Sequence, residues 1–82
     1  MSDHNKDEEV LHPEHYSMFE IEPAEFIMKN ELSFWQGNVI KYVSRAGRKT
    51  YTVSGEIEDC QKAIRYLEMR IKHQQDYLDT LD

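Results

Sequence analysis

The chain reads as an all-α protein: a small three-helix domain with a long C-terminal helix that mediates oligomerisation. Three observations predict this. Trp35, Val39, Tyr42, Val43 and Ala46 recur with the 3.6-residue period of an amphipathic helix. Ile57, Cys60, Ile64, Leu67, Ile71, Gln74, Leu78 and Leu81 are spaced alternately three and four apart, which is a heptad seam. Helix-starting residues precede each helical segment: Pro23, Ser33 and Ser54.

The first helix follows from Glu22-Pro23-Ala24-Glu25, where proline suits the first helical position and the acids lie near the positive end of the dipole. Phe26 and Ile27 then face the core, and Asn30, which tolerates the left-handed conformation, ends the helix. Ser33-Phe34-Trp35-Gln36 matches a capping box, in which the Ser33 and Gln36 side chains reciprocally satisfy free amides, so a second helix begins there and Gly47 stops it. Residues 47–55 show no helical pattern and read as a loop, with Ser54 capping the third helix from Glu56 onward. A helix of about 26 residues spans roughly 39 Å. That is longer than so small a domain covers, so its far end wants a partner, and Gln74, the one polar residue of the seam besides Cys60, sets register between chains.

Eighty-two residues support one domain. Residues 1–11 hold four acids and no periodicity and read as a flexible acidic tail, leaving 12–82 as a single helical domain. His12-Pro13-Glu14-His15-Tyr16 reads as an ordered loop, because proline holds the residue before it extended. The single Cys60 excludes an intrachain disulfide and leaves no cysteine-rich zinc site. With no long apolar run and a polar N-terminus, neither a membrane span nor a signal peptide is expected, and the chain reads as cytoplasmic.

Charge is distributed unevenly. Residues 1–31 sum to −7, residues 32–55 to +4 and residues 56–82 to −3, for the net −6. The middle window contains no acid and concentrates Lys41, Arg45, Arg48 and Lys49. Lys41 and Arg45 are four apart and so neighbours on one helical face, with Asn38 one turn earlier. Such a group grips phosphate, lysine as a point charge and arginine through planar bidentate bonds. The bland reading is a solvated face that balances acids elsewhere. The overall negative charge argues against duplex nucleic acid, which needs many cation–phosphate contacts, and favours a small anion.

Other constellations are weaker. Gly47-Arg48-Lys49-Thr50 fails as a phosphate-binding loop, because Arg48 separates the glycine from the lysine and Tyr42 stands where the first glycine should be. Glu58 and Asp59 are placed to hold magnesium, but the second helix offers no acid to complete a paired-acid hydrolase site. His12, His15 and His73 are too scattered for zinc. No cofactor, metal or catalytic residue is expected. Tyr16, Trp35, Tyr42, Tyr51 and Tyr66 supply aromatic faces on which bases stack, with core packing the plainer role for Trp35 and Tyr42.

His15-Tyr16, Ile21-Glu22-Pro23, Gly37-Asn38-Val39-Ile40-Lys41-Tyr42-Val43-Ser44-Arg45-Ala46-Gly47-Arg48-Lys49, Glu58-Asp59, Lys62-Ala63 and Tyr66-Leu67 occur in one order over about residues 12–71. In this the chain resembles a family of small bacteriophage proteins of unknown function, often labelled nucleotide kinase-like. The resemblance implies an α-helical nucleotide binder. Asn38, Lys41, Arg45 and Lys49 would take phosphate, His15 would hydrogen-bond the ligand, Tyr16 and Tyr66 would stack on bases, and Lys62 would add charge from the third helix. It is also similar to phage sponges that sequester cyclic oligonucleotide alarm signals of bacterial immunity. The expected protein is a non-enzymatic homo-oligomer, a dimer or tetramer, binding a nucleotide or cyclic dinucleotide in the host cytoplasm. Arg45→Ala is expected to weaken binding without unfolding the chain. The competing readings are a deoxynucleoside monophosphate kinase using Asp59 or Glu58 with magnesium, and an acidic inhibitor of a host enzyme.

Overall fold

A computed structural model describes residues 19–81. The 1–11 tail, His12, His15 and Tyr16 therefore lie outside the described residues. Three helices and no strands are present among those described: α1 (Pro23–Lys29), α2 (Phe34–Arg45) and α3 (Val53–Thr80). The all-α architecture with a long C-terminal helix is the one the periodicity predicts. Both other helices pack against α2.

Helix α1 begins with Pro23 in its first turn, as expected, and an exposed Lys29–Glu25 pair spans one turn at 2.8 Å. It ends at Asn30, as expected, but a different residue takes the left-handed conformation. Asn30 has φ −95°, and Glu31 takes the left-handed conformation at φ 53°. Asn30 instead donates its side-chain amide to the Phe26 carbonyl at 2.9 Å, closing the last turn through its side chain. Leu32 N–H then reaches the Ile27 carbonyl at 3.1 Å, turning the chain tightly into α2.

At the start of α2, Gln36 Oε1 accepts from the Ser33 backbone amide at 3.0 Å and from the Ser33 hydroxyl at 3.1 Å. This is the reach-back half of the box that the sequence predicts. Gly37 is buried where α1 crosses α2, and a Cβ placed there would lie 3.0 Å from Ile27 Cγ2. The absent side chain sets how close the two helices come. Gly47, at φ +76°, ends the helical run two residues past Arg45.

Helix α3 starts earlier than the sequence suggests. Thr52, not Ser54, is the N-cap, and its hydroxyl accepts from Gly55 N–H at 3.0 Å, so Val53, Ser54 and Gly55 belong to the helix. The threonine competes successfully because a β-branched hydroxyl residue sits well in the extended conformation of a cap. Far along α3, Lys72 pairs with Asp76 at 2.9 Å in solvent. That hydrogen bond and charge raise the lysine above its ordinary range.

The core is small. Ala63 is the buried apolar residue and Asp59 the buried polar one, both on the α3 face turned toward α2. Around them Tyr42 stacks on Tyr66 at 6.0 Å between centroids, and Arg70 lies over the Trp35 ring at 5.5 Å. Two expectations fail here: Val43 is 60% exposed although it falls on the predicted stripe, and Phe26 is 46% exposed. A 12-residue helix between two neighbours has more apolar positions than two narrow contacts can cover.

Candidate functional site

Asp59 sits beneath the end of α2 because the first turns of α3 return antiparallel to it after the short 46–52 connection. Its carboxylate accepts from Arg45 Nε at 3.2 Å, with side-chain exposures of 8% for Asp59 and 22% for Arg45. The same guanidinium lies 4.6 Å from the Tyr42 ring centroid. Arg45 is therefore a built part of the α2–α3 junction rather than a free surface cation. Lys41 and Lys62 approach the same ring, at 5.1 and 5.4 Å, so three cations surround Tyr42 with one buried acid among them. Such contacts with aromatic faces are worth about 0.5–1 kcal/mol each near solvent.

Lys41, Arg45 and Lys49 line one cleft of about 450 Å³ between the start of α1 and the end of α2. Pro23 and Ala24 form its apolar wall, and Phe19 and Glu22 complete it. Arg48 lies over the Phe19 ring at 5.2 Å. The volume is that of an ordinary small-ligand pocket. Its charge is three cations against Glu22, and Lys41 and Lys49 are exposed and directed by no ion pair among the described residues. A phosphate-bearing ligand would meet cations on one side and an aromatic and aliphatic wall on the other.

The other nominated residues lie elsewhere. Asn38 donates its side-chain amide to the Phe34 carbonyl of its own helix at 2.8 Å and lines a separate groove of about 310 Å³ beside α1, to which Lys41 also contributes. Lys62 and Tyr66 line a third hollow of about 400 Å³ with Phe34, Tyr42 and Arg65. Phe34 is 77% exposed there and meets Tyr66 edge-on at 5.9 Å. The eight nominated positions thus divide into one cleft containing three of them, two neighbouring surfaces containing three more, and His15 and Tyr16, which lie outside the described residues.

Sequence reasoning missed Phe19, Glu22 and the role of Asp59. Phe19 is an aromatic residue in an acidic stretch before α1, and nothing in its spacing ties it to Arg48. Asp59 carried a signal: at four and seven residues before Ala63 and Tyr66 it shares a helical face with both, and a charge on a packing face needs a partner.

These features define a helical domain with a cationic cleft of small-ligand size. Residues 10–68 match the family described as "Protein of unknown function (DUF3310)", and the chain belongs to that family. The matched stretch includes every residue lining the cleft and ends midway along α3. No curated protein and no solved structure matches the chain. Among the described residues, no cluster of histidine, cysteine or acidic side chains is arranged to hold a metal ion, and no helix is long and apolar enough to cross a membrane.

Proposed function

We propose that the protein binds a nucleotide in the cleft of Lys41, Arg45 and Lys49 and acts by retaining it, as a bacteriophage sponge for cyclic dinucleotide signals of host immunity. The observation that supports this reading best is the convergence of Lys41, Arg45 and Lys49 on one cleft next to an aromatic ring. Lys41 and Lys49 neutralise phosphate as mobile point charges, and Arg45, its Nε held by Asp59, offers its remaining N–H groups from a fixed position. Phe19, with Arg48 on one face, presents the other to a base.

Retention requires complementarity to the ligand's ground state alone, whereas catalysis requires groups aimed at a transition state. The phosphotransferase alternative would enlist Asp59 for magnesium. That carboxylate is buried and engaged by Arg45, so a metal there would have to break the ion pair first.

The test is native mass spectrometry of the full chain with linear and cyclic nucleotides, without metal. Retention of a cyclic species unaltered in mass, reduced tenfold or more by Lys49→Ala, is the expected result. If wild-type protein retains no member of the panel, the proposal fails and a host-protein inhibitor becomes the better reading. Chemical conversion of a nucleotide with ATP and magnesium would instead establish the enzyme.

A further inference from the structure

Helix α3 has a second face that α2 leaves uncovered. The seam residues Ile57, Cys60, Ile64, Leu67, Ile71, Gln74, Leu78 and Leu81 are all exposed, the apolar side chains by 40% at Leu67 to 61% at Leu81. The residues facing α2, namely Asp59, Ala63, Tyr66 and Arg70, lie on a face turned roughly 100° about the helix axis from this seam. Packing against α2 and packing along the seam are therefore compatible.

Three features of the seam specify its occupant. Ile57, Ile64 and Ile71 hold the first position of successive heptads, and Leu67 and Leu81 hold the fourth; β-branched residues at the first with leucine at the fourth favour two parallel strands. Gln74 meets its own copy in a parallel, in-register pair, where two amides can hydrogen-bond, whereas a fully overlapped antiparallel pair buries it against Ile64 without a partner. The flanking positions agree. In the parallel pair they bring Glu56 to Gln61, Ala63 to Glu68 and Arg70 to Gln75, while the antiparallel pair sets Glu68 beside Glu68 and Arg70 beside Arg70.

We infer that α3 pairs with α3 of a second copy of this chain as a parallel, in-register two-stranded coiled coil along residues 57–81. The arrangement puts both α1–α2 units at the same end of the rod. It stands on the seam alone and is independent of what the cleft binds.

Light scattering of the full chain under reducing conditions should give twice the 9.8 kDa chain mass. Leu67→Glu combined with Ile71→Glu should give a monomer of unchanged Trp35 fluorescence, because both residues are exposed on the seam, away from the face of α3 that packs on α2. Orientation is read by cross-linking with a short bis-maleimide. Cys60 of the wild type should link to Cys60 of its partner, and Gln74→Cys in a Cys60→Ser background should link equally well, both links being lost in urea. An antiparallel pair cannot bring both positions to their own copies, since they lie about 21 Å apart along the helix. A monomeric wild type, a charge variant that folds and still dimerises, or cross-linking at fewer than both positions would each overturn the inference. If the charge variant does not fold, the cross-linking pair decides.

Discussion

Arg45 Nε and Asp59 Oδ1, 14 residues apart in sequence, meet at 3.2 Å beneath the end of α2, the acid buried and the arginine mostly so. This contact ties the cleft to the helix packing. It also changes which variant isolates binding: removing Arg45 strips a buried carboxylate of its partner as well as removing a cation from the cleft.

Arg45→Met is accordingly expected to destabilise the chain by about 2 kcal/mol, within the range for hydrogen bonds to charged groups. Asp59→Leu in the same chain should restore part of that loss, since an apolar pair removes the unpaired charge. Urea unfolding of both single variants and the double variant gives the coupling directly. Additive losses would mean the pair contributes nothing beyond its separate packing.

Lys49→Ala and Lys62→Ala should separate the two cationic surfaces. Lys49 lines the cleft and Lys62 the hollow behind Tyr42. Titration calorimetry with whichever nucleotide wild type retains should show at least a tenfold loss for the first and less than threefold for the second. The reverse order would move the site to the Phe34–Tyr66 hollow.

Phe19→Leu preserves an apolar wall and removes the ring. If a base stacks there, affinity falls by about 1–2 kcal/mol, while inorganic phosphate, which has no base, binds as before. Equal losses for both ligands would assign Phe19 to holding the loop, not to contacting the base.

Gly37→Leu should separate α1 from α2. A single added Cβ already lies 3.0 Å from Ile27 Cγ2, and a full side chain leaves no room for the crossing. Overpacking of this kind costs about 1–3 kcal/mol. Because α1 provides Pro23 and Ala24 to the cleft wall, binding should weaken along with the melting temperature. A variant that is destabilised yet binds normally would show that the wall does not contribute to recognition.

Local features were legible because they depend on neighbours in sequence. Pro23, the reach of Gln36 to Ser33 and Gly47 are each short-range devices, and each acts where it was read. Where a local detail differed, equally local competition decided it: α1 ends at Asn30 as read, but Glu31 took the left-handed turn when the Asn30 side chain bonded back to Phe26, and Thr52 capped α3 ahead of Ser54. Among the candidate site residues, Lys41, Arg45 and Lys49 were visible as an acid-free run of cations, and one cleft contains all three. Asn38, Lys62 and Tyr66 were grouped with them by their chemistry and the family resemblance, and neither says which side of a helix faces which hollow.

By itself the sequence determined three helices, their order and the long seam of α3, because periodicity, caps and breakers act over a turn or two of chain. Only the tertiary structure decided that Arg45 would be taken up by Asp59, that Phe19 would stand across from Lys41 and Lys49, and that Val43 would remain in solvent. Those outcomes depend on the angle and depth at which α1 and α3 approach α2, which Gly37 and Ala63 set by being small. A pattern of periods records which residues share a face. Which of those faces meet is settled by volume and charge across the contact.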